Sequence, residues 1–274
     1  MKRPLILVTN DDGIHSPGLR AAVESVLHLG DVLIIAPTHQ QTSMGRSFPP
    51  TDGVIHTTTL EIGEQRIEAF HVDGSPAQAV LYGILLLNNG LKPDLVISGI
   101  NYGENIGSGI TISGTVGAAM QAASLGIPSL AVSLETAPEF HHVHGDVDWS
   151  AAQHFTREFA RKLLEKPMPF DVDVLKVDVP CTATAETPWK VTRQSRHAYY
   201  ESYLEVEGND ILRAQLRYRR AINVEALEKD SDIYVFWVER FVSVTPLSLD
   251  CTSRVSLQEL EALLRKPNDS SLRL

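Results

Sequence analysis

The stretch PLILVTNDDGIHSPGL, residues 4–19, decides how the chain is read. Leu5–Val8 is a short, continuous run of branched apolar residues, the pattern of a parallel strand covered on both faces. It gives way to Asn10, Asp11, Asp12 and Gly13, after which Ser16 and Pro17 supply a helix cap and a first turn. Adjacent carboxylates repel each other, and within a strand they would point to opposite faces. Past the strand end, a turn swings both toward one point, and Gly13 gives the backbone the freedom to make it. Two carboxylates joined by amide and hydroxyl oxygens suit a hard cation such as Mg²⁺, Mn²⁺ or Ca²⁺ better than zinc. Taken alone, the dipeptide also reads as an Asx turn in which one acid caps the following helix.

Outward from this point, strand-like and helix-like segments alternate. A helix from Ser16 closes at Gly30, and Val32–Ala36 is a second strand stopped by Pro37. Val54–Thr58 and Arg66–Val72 read as strands, and Ser75–Leu87 as a helix capped by Ser75. Leu95–Ser98 reads as a buried strand leading into a glycine-rich loop, Val116–Leu125 as a helix and Ile127–Ser133 as a strand. Short connections between alternating elements imply right-handed crossovers and a parallel sheet, hence an α/β fold.

The second half changes character. Asp148–Leu164 reads as a helix, and Val172–Val179 alternates valine with charged residues. Strands are expected at Trp189–Thr192, Tyr199–Val206, Ile211–Tyr218, Ile233–Val238 and Val242–Val244, with Glu207–Asp210 as a turn and Ser256–Arg265 as a terminal helix. The expected division is a catalytic core over residues 1–180. Residues 181–274 form a C-terminal extension comprising a hairpin arm at about 199–218, return strands over 233–246 and the helix. A Tyr- and Arg-rich hairpin of this kind packs on another subunit more often than it stands alone.

The 274 residues carry 34 acids against 24 Lys and Arg, a net charge of -10, which argues against a nucleic-acid polymer as partner. Cys181 and Cys251 form neither a zinc pattern nor a disulfide framework. The N-terminal apolar run is too short for a signal peptide, and no stretch has the length of a membrane span. A soluble, cytoplasmic protein is expected, without membrane contact.

Ligands of open parallel sheets gather beyond the carboxyl ends of the strands. Four segments converge there: the Asn10–Gly13 turn, APTHQQTSMGRS at 36–47, SGINYGENIGSG at 98–109, and SGTVGAA at 113–119. All are built from glycine, hydroxyl, amide and carboxylate groups. Asn101 and Asn105 offer amides, while Ser113, Gly114 and Thr115 at a helix start offer hydroxyls and open N–H groups, an anion site. There is no P-loop and no dinucleotide fingerprint, and neither the D-x-D phosphatase nor the EF-hand pattern fits.

These residues carry a resemblance. ILVTNDDGIHSPGL, VDGSPAQAV at 72–80, PDLVISGINYGENIG at 93–107, SGTVGAA, and VSVTPLSLDCTS at 242–253 together resemble the survival-protein SurE family of metal-dependent nucleotidases. The resemblance implies a Rossmann-like parallel α/β core and a C-terminal hairpin and helix extension exchanged between subunits, in a homodimer or homotetramer. It implies hydrolysis of nucleoside monophosphates, 5′ and in some cases 3′, with a divalent Mg²⁺ or Mn²⁺ held by Asp11, Asp12 and Asn101. The family's fourth ligand is a serine five residues after the proline that ends the second strand. Here that count from Pro37 reaches Thr42, with Ser43 next, and both stay candidates.

Asn105, Ser113, Gly114 and Thr115 are then expected to hold phosphoryl oxygens, and a carboxylate of the Asp pair to take the proton of the attacking water. Other readings stand beside this one: a nucleotide-binding module without hydrolysis, a phosphatase of broader ester or short-polyphosphate range, or a chiefly structural oligomer. His141, His142 and His144 read as a solvated loop and Arg193, Arg196 and His197 as a surface or subunit contact. Tyr102 is a candidate for stacking on a base.

Overall fold

The computed structural model describes residues 3–87, 91–141, 143–206 and 211–265. Its strands are β1 (Leu5–Thr9), β2 (Asp31–Pro37), β3 (Ile55–Ile62), β4 (Gln65–Val72), β5 (Leu95–Tyr102), β6 (Ser129–Leu134), β7 (Val174–Val179), β8 (Trp189–Val191), β9 (Tyr200–Glu205), β10 (Gln215–Arg220) and β11 (Val242–Leu247). Its α-helices are α1 (Pro17–Val26), α2 (Pro76–Leu86), α3 (Gly114–Ala123), α4 (Ser150–Glu165) and α5 (Leu257–Arg265).

Nine strands form one sheet in the order β3-β4-β2-β1-β5-β6-β7-β11-β8. From β4 to β7 every neighbouring pair is parallel. Antiparallel β3 closes one edge, and β11 runs antiparallel to β7. Helices cover both faces, α1 and α4 on one and α2 and α3 on the other. The chain winds outward from β1 to β2 and later returns to place β5 on the other side of β1. The carboxyl ends of β1 and β5 therefore flank the point where strand order reverses, where open sheets leave a crevice for ligands.

Local chemistry sets these elements. Ser75 caps α2 reciprocally: its Oγ accepts the Gln78 N–H at 3.1 Å while Gln78 Oε1 accepts the Ser75 N–H at 2.9 Å. The Ser75 hydroxyl also donates to Ser47 O at 2.6 Å, tying the 47–49 segment to the helix.

Several expectations are corrected. SGIN is not loop: β5 runs on to Tyr102 through a bulge between Ser98 and Asn101, so Asn101 sits on a strand opposite Ser133. The glycine that reads as loop punctuation marks a bulge. Ile233–Val238 is not a return strand; Tyr234–Val238 is a π-helical turn. A short apolar run does not distinguish strand from helix by periodicity. Here Ser231 Oγ accepts the Tyr234 N–H, which starts a helical turn, and Ile233, Val235 and Phe236 bury themselves from it. The segment from Ile211 begins as a 3₁₀ turn, and β10 starts only at Gln215. Helix α1 stops at Val26, short of Gly30, and β3 extends to Ile62. Glu207–Asp210 lie outside the described residues.

The hairpin β9–β10 is a separate two-stranded sheet, held by Arg217–Glu205 and Arg219–Glu201 ion pairs. Beyond β11, α5 has no buried residue, and its Leu257, Leu260, Leu263 and Leu264 are exposed. Replacing Ser75 by Ala removes a cap and the tie to Ser47. The expected destabilisation is about 1–2 kcal/mol in urea unfolding, with Ser75→Thr retaining most of it.

Candidate active site

At the carboxyl ends of β1 and β5 the structure has a cavity of about 350 Å³, within the range of small-molecule sites. Asp11, Asp12, Asn101, Thr42, Ser43 and Ser113 all line it. The turn that carries both acids uses Gly13 in the left-handed region, φ 97°.

Both acids are almost fully buried and individually braced. Asp11 Oδ1 accepts the Thr115 hydroxyl at 2.6 Å. Asp12 Oδ1 accepts Gln40 Nε2 at 3.0 Å, and its Oδ2 accepts the Tyr102 N–H at 3.1 Å. Gln40 is steadied in turn by donating to the His141 carbonyl at 2.6 Å. Burial pushes Asp11 up to about 6 in spite of the Thr115 bond. Burial, and then the charge of Asp11, hold Asp12 well above the usual carboxylate range. The fold therefore keeps two carboxylates where water screens them poorly and each raises the other's proton affinity.

The remaining groups fit a hard cation. Asn101 Nδ2 donates to the backbone carbonyls of Tyr102 and Gly103 at 3.2 and 2.7 Å, which leaves its carbonyl oxygen to face a ligand. Thr42 and Ser43 both border the cavity, and Ser43 holds a left-handed φ of 64°, uncommon outside glycine. Among the described residues no cluster of three or more His, Cys, Asp or Glu gathers, so the ligand charge would come from the Asp pair and the other donors are neutral oxygens. This set matches Mg²⁺ or Mn²⁺ rather than a soft metal.

The sequence-derived phosphate residues divide into two groups. Asn105 and Ser113 line the cavity. Asn105 Nδ2 donates to Ser133 Oγ at 2.8 Å, which occupies one of its two amide hydrogens. Ser113 Oγ accepts the Val116 N–H at 3.1 Å as the cap of α3, leaving its proton to be donated elsewhere. Thr115 is different: fully buried, its hydroxyl is committed to Asp11, so it holds an acid rather than a phosphoryl oxygen. Gly114 matters through close approach, since a Cβ there would lie 2.7 Å from Asp11 Oδ2.

The lining also carries an apolar and aromatic wall, with Ile106, Ile112, Tyr199, Tyr200 and Tyr218. Sequence reading missed this wall, because the tyrosines stand about two hundred residues from the acids and read as arm residues. It also missed Gln40 and His141. His141 is no solvated loop residue: it borders the cavity, its ring edge-on to Tyr200. His142 lies outside the described residues. Tyr102 packs against His144 and Trp149, so its ring is built into the wall rather than left free to stack on a base. Arg193 pairs with Asp230 and does not border the cavity.

The family model described as Survival protein SurE matches residues 6–201. A protein of Thermococcus gammatolerans named 5′-nucleotidase SurE is 40% identical over 263 residues, covering 94% of this chain and 95% of that one. One of the same name from Methanothrix thermoacetophila is 38% identical, covering 94% and 98%. The crystal structure of the SurE protein from Aquifex aeolicus superposes with a TM-score of 0.75 at 30% identity, over 95% of this chain and all of that one. Matched over most of its length by the family model and its relatives, with the acid pair at the expected strand end, the chain belongs to the SurE family.

Proposed function

We propose that this SurE-family chain is a nucleotidase that hydrolyses nucleoside monophosphates to nucleoside and inorganic phosphate, with Mg²⁺ or Mn²⁺ bound by Asp11, Asp12, Asn101 and a hydroxyl of Thr42 or Ser43. The observation that carries the reading is the cavity's polarity. Its lining combines two buried neighbouring carboxylates with apolar and aromatic side chains, matching the two halves of a nucleotide once a cation is present. A pure phosphate binder gains nothing from two anions beside its ligand, which disfavours the module without hydrolysis.

A divalent ion bound there supplies positive charge to phosphoryl oxygens and lowers the pKa of water. The chain's own residues do the rest. Asn105 directs its second amide hydrogen, and Ser113 its hydroxyl, at phosphoryl oxygens, with the N-terminus of α3 adding favourable dipole charge. Thr115, Gln40 and the Tyr102 N–H fix the two carboxylates, so the site is organised before substrate arrives. A carboxylate oxygen of the pair takes the proton of the attacking water. The Ile106, Ile112 and Tyr200 wall receives the nucleoside.

No helix among the described residues is long and apolar enough to cross a membrane; we place the protein in the cytoplasm. Residues 181–274 act as an extension through which copies associate as a homodimer or homotetramer. The freestanding hairpin, with Leu204 and Leu216 exposed, and the uncovered leucine face of α5 support this.

Inorganic phosphate is expected from AMP or GMP with Mn²⁺ or Mg²⁺ and not with EDTA, and Asp11→Asn should lower kcat/KM about a hundredfold or more. Full activity in EDTA would refute the metal-dependent reading. Calorimetric Mn²⁺ titration of Thr42→Ala and Ser43→Ala decides the fourth ligand: the variant that loses about tenfold or more in affinity identifies it, while the other stays near the parent.

Metal-free protein should show the cost of the paired acids. Asp11 binds its proton more tightly folded than unfolded, so its contribution to stability falls as pH rises from about 4 through about 6. Asp11→Asn should therefore raise Tm in EDTA near neutral pH by several degrees, and the gain should shrink as pH drops below about 6. A variant no more stable than the parent at neutral pH would contradict the burial argument.

A further inference from the structure

A second group of buried charges lies behind the cavity, outside the catalytic chemistry described so far. Lys176 and Asp178 of β7 and Asp232 before the π-helical turn are all fully buried. Lys176 Nζ lies 2.5 Å from Asp178 Oδ2 and 3.3 Å from Asp232 Oδ2. The two carboxylates hold the ammonium above its ordinary pKa although burial works against it. Each acid also reaches the loop that lines the cavity. Asp178 Oδ1 accepts the Asn105 N–H at 2.7 Å, and Asp232 Oδ2 accepts the Gly107 N–H at 3.0 Å. Asp232 Oδ1 takes the N–H groups of Ser195 and Ile233, both at 2.9 Å, so the excess negative charge is met by backbone donors.

A buried ion cluster is a poor source of stability, because desolvation offsets most of its attraction. Its geometry is what distinguishes it here. One cation lets two carboxylates from distant parts of the chain sit together, each gripping an alternate N–H of one short loop. We propose that Lys176, Asp178 and Asp232 are positioning residues that fix the Asn105–Gly107 loop, and with it the Asn105 amide, for the substrate's phosphoryl group. Asn105 is pinned at both ends, by its N–H to Asp178 and by its side chain to Ser133. The proposal rests on Asn105 as a phosphate-holding residue, and the experiment separates the two claims.

The full-length protein, loaded with Mn²⁺, is titrated with inorganic phosphate by calorimetry. The variants are Asn105→Ala, Asp178→Ala and the double variant, with Asp178→Asn as an isosteric alternative that decides alone should Asp178→Ala not fold. Asp178→Ala should weaken phosphate binding about five- to tenfold, and Asp178→Asn in the same direction by less. Mn²⁺ affinity should stay within about twofold of the parent, because the acid pair is braced by other residues. In the Asn105→Ala background the Asp178 change should have little further effect. Folded Asp178 variants that bind phosphate like the parent, or losses that multiply in the double variant, would overturn the positioning role. An Asn105→Ala variant with unchanged phosphate affinity would instead remove the reading of Asn105, and the positioning claim would fall with it.

Discussion

Two carboxylates that follow each other in sequence, both withdrawn from water, are the constraint to which the rest of this molecule responds. Burial raises the proton affinity of Asp11 above that of an ordinary carboxyl, so keeping it ionised in the fold costs free energy. Asp12 adds its own penalty through burial and through its neighbour. A chain selected only for stability would place a small polar residue at one of these positions. Instead, the surroundings hold the acids still without neutralising them: a threonine hydroxyl, a glutamine amide and a backbone N–H, all uncharged donors. Uncharged bracing orients a carboxylate and leaves its negative charge available. A cation would draw on that charge at the switch point of the sheet.

The supporting structure comes from both halves of the chain. β11 pairs with β7, and β8 pairs with β11, so residues beyond 181 continue the main sheet. The loop after β5 is held chiefly from the C-terminal side. Gln194 donates to the Gly107 carbonyl, His197 O accepts the Ser108 N–H, and Asp232 takes the Gly107 N–H. Glu104, buried in the same loop, accepts from Tyr200 and Arg220 at the base of the hairpin. The cavity therefore depends on the N-terminal strand ends for its charge and on the C-terminal segments for its shape.

How much of this is legible in the sequence follows from the range over which each signal acts. The Asp11–Asp12 turn, the Ser16 and Ser75 caps and the parallel order depend on neighbours a few residues away, and local pattern suffices for them. Asn101 and Asn105 are visible as motif residues, but the bulge that keeps Asn101 on β5 is read as loop, because glycine punctuates both. Thr115 is assigned to the ligand where it braces Asp11, since a hydroxyl at a helix start suits either partner until the fold places the acid. Val172–Val179 alternates valine with charged residues, a pattern that leaves open what covers the charged face. The charged residues of that face, Lys176 and Asp178, are wholly buried, because Asp232 and the loop after β5 pack over them. Periodicity reports which residues share a face and cannot report what comes to cover it.

The hairpin contributes to the cavity and also carries an exposed apolar surface. Tyr200, Ser202 and Tyr218 border the cavity from β9 and β10, while Leu204 and Leu216 of the same strands stand exposed. A two-stranded ribbon is marginal in isolation, and Arg220, lying between Glu104 and Glu135 and over the rings of Tyr199 and Trp237, secures only its base. A second copy packed over Leu204 and Leu216 would hold Tyr200 and Tyr218 in place at the cavity wall, and one element would then set both association and the shape of that wall. The acid pair needs no such help: its braces come from β5, α3 and the segment after β2, all within the parallel core.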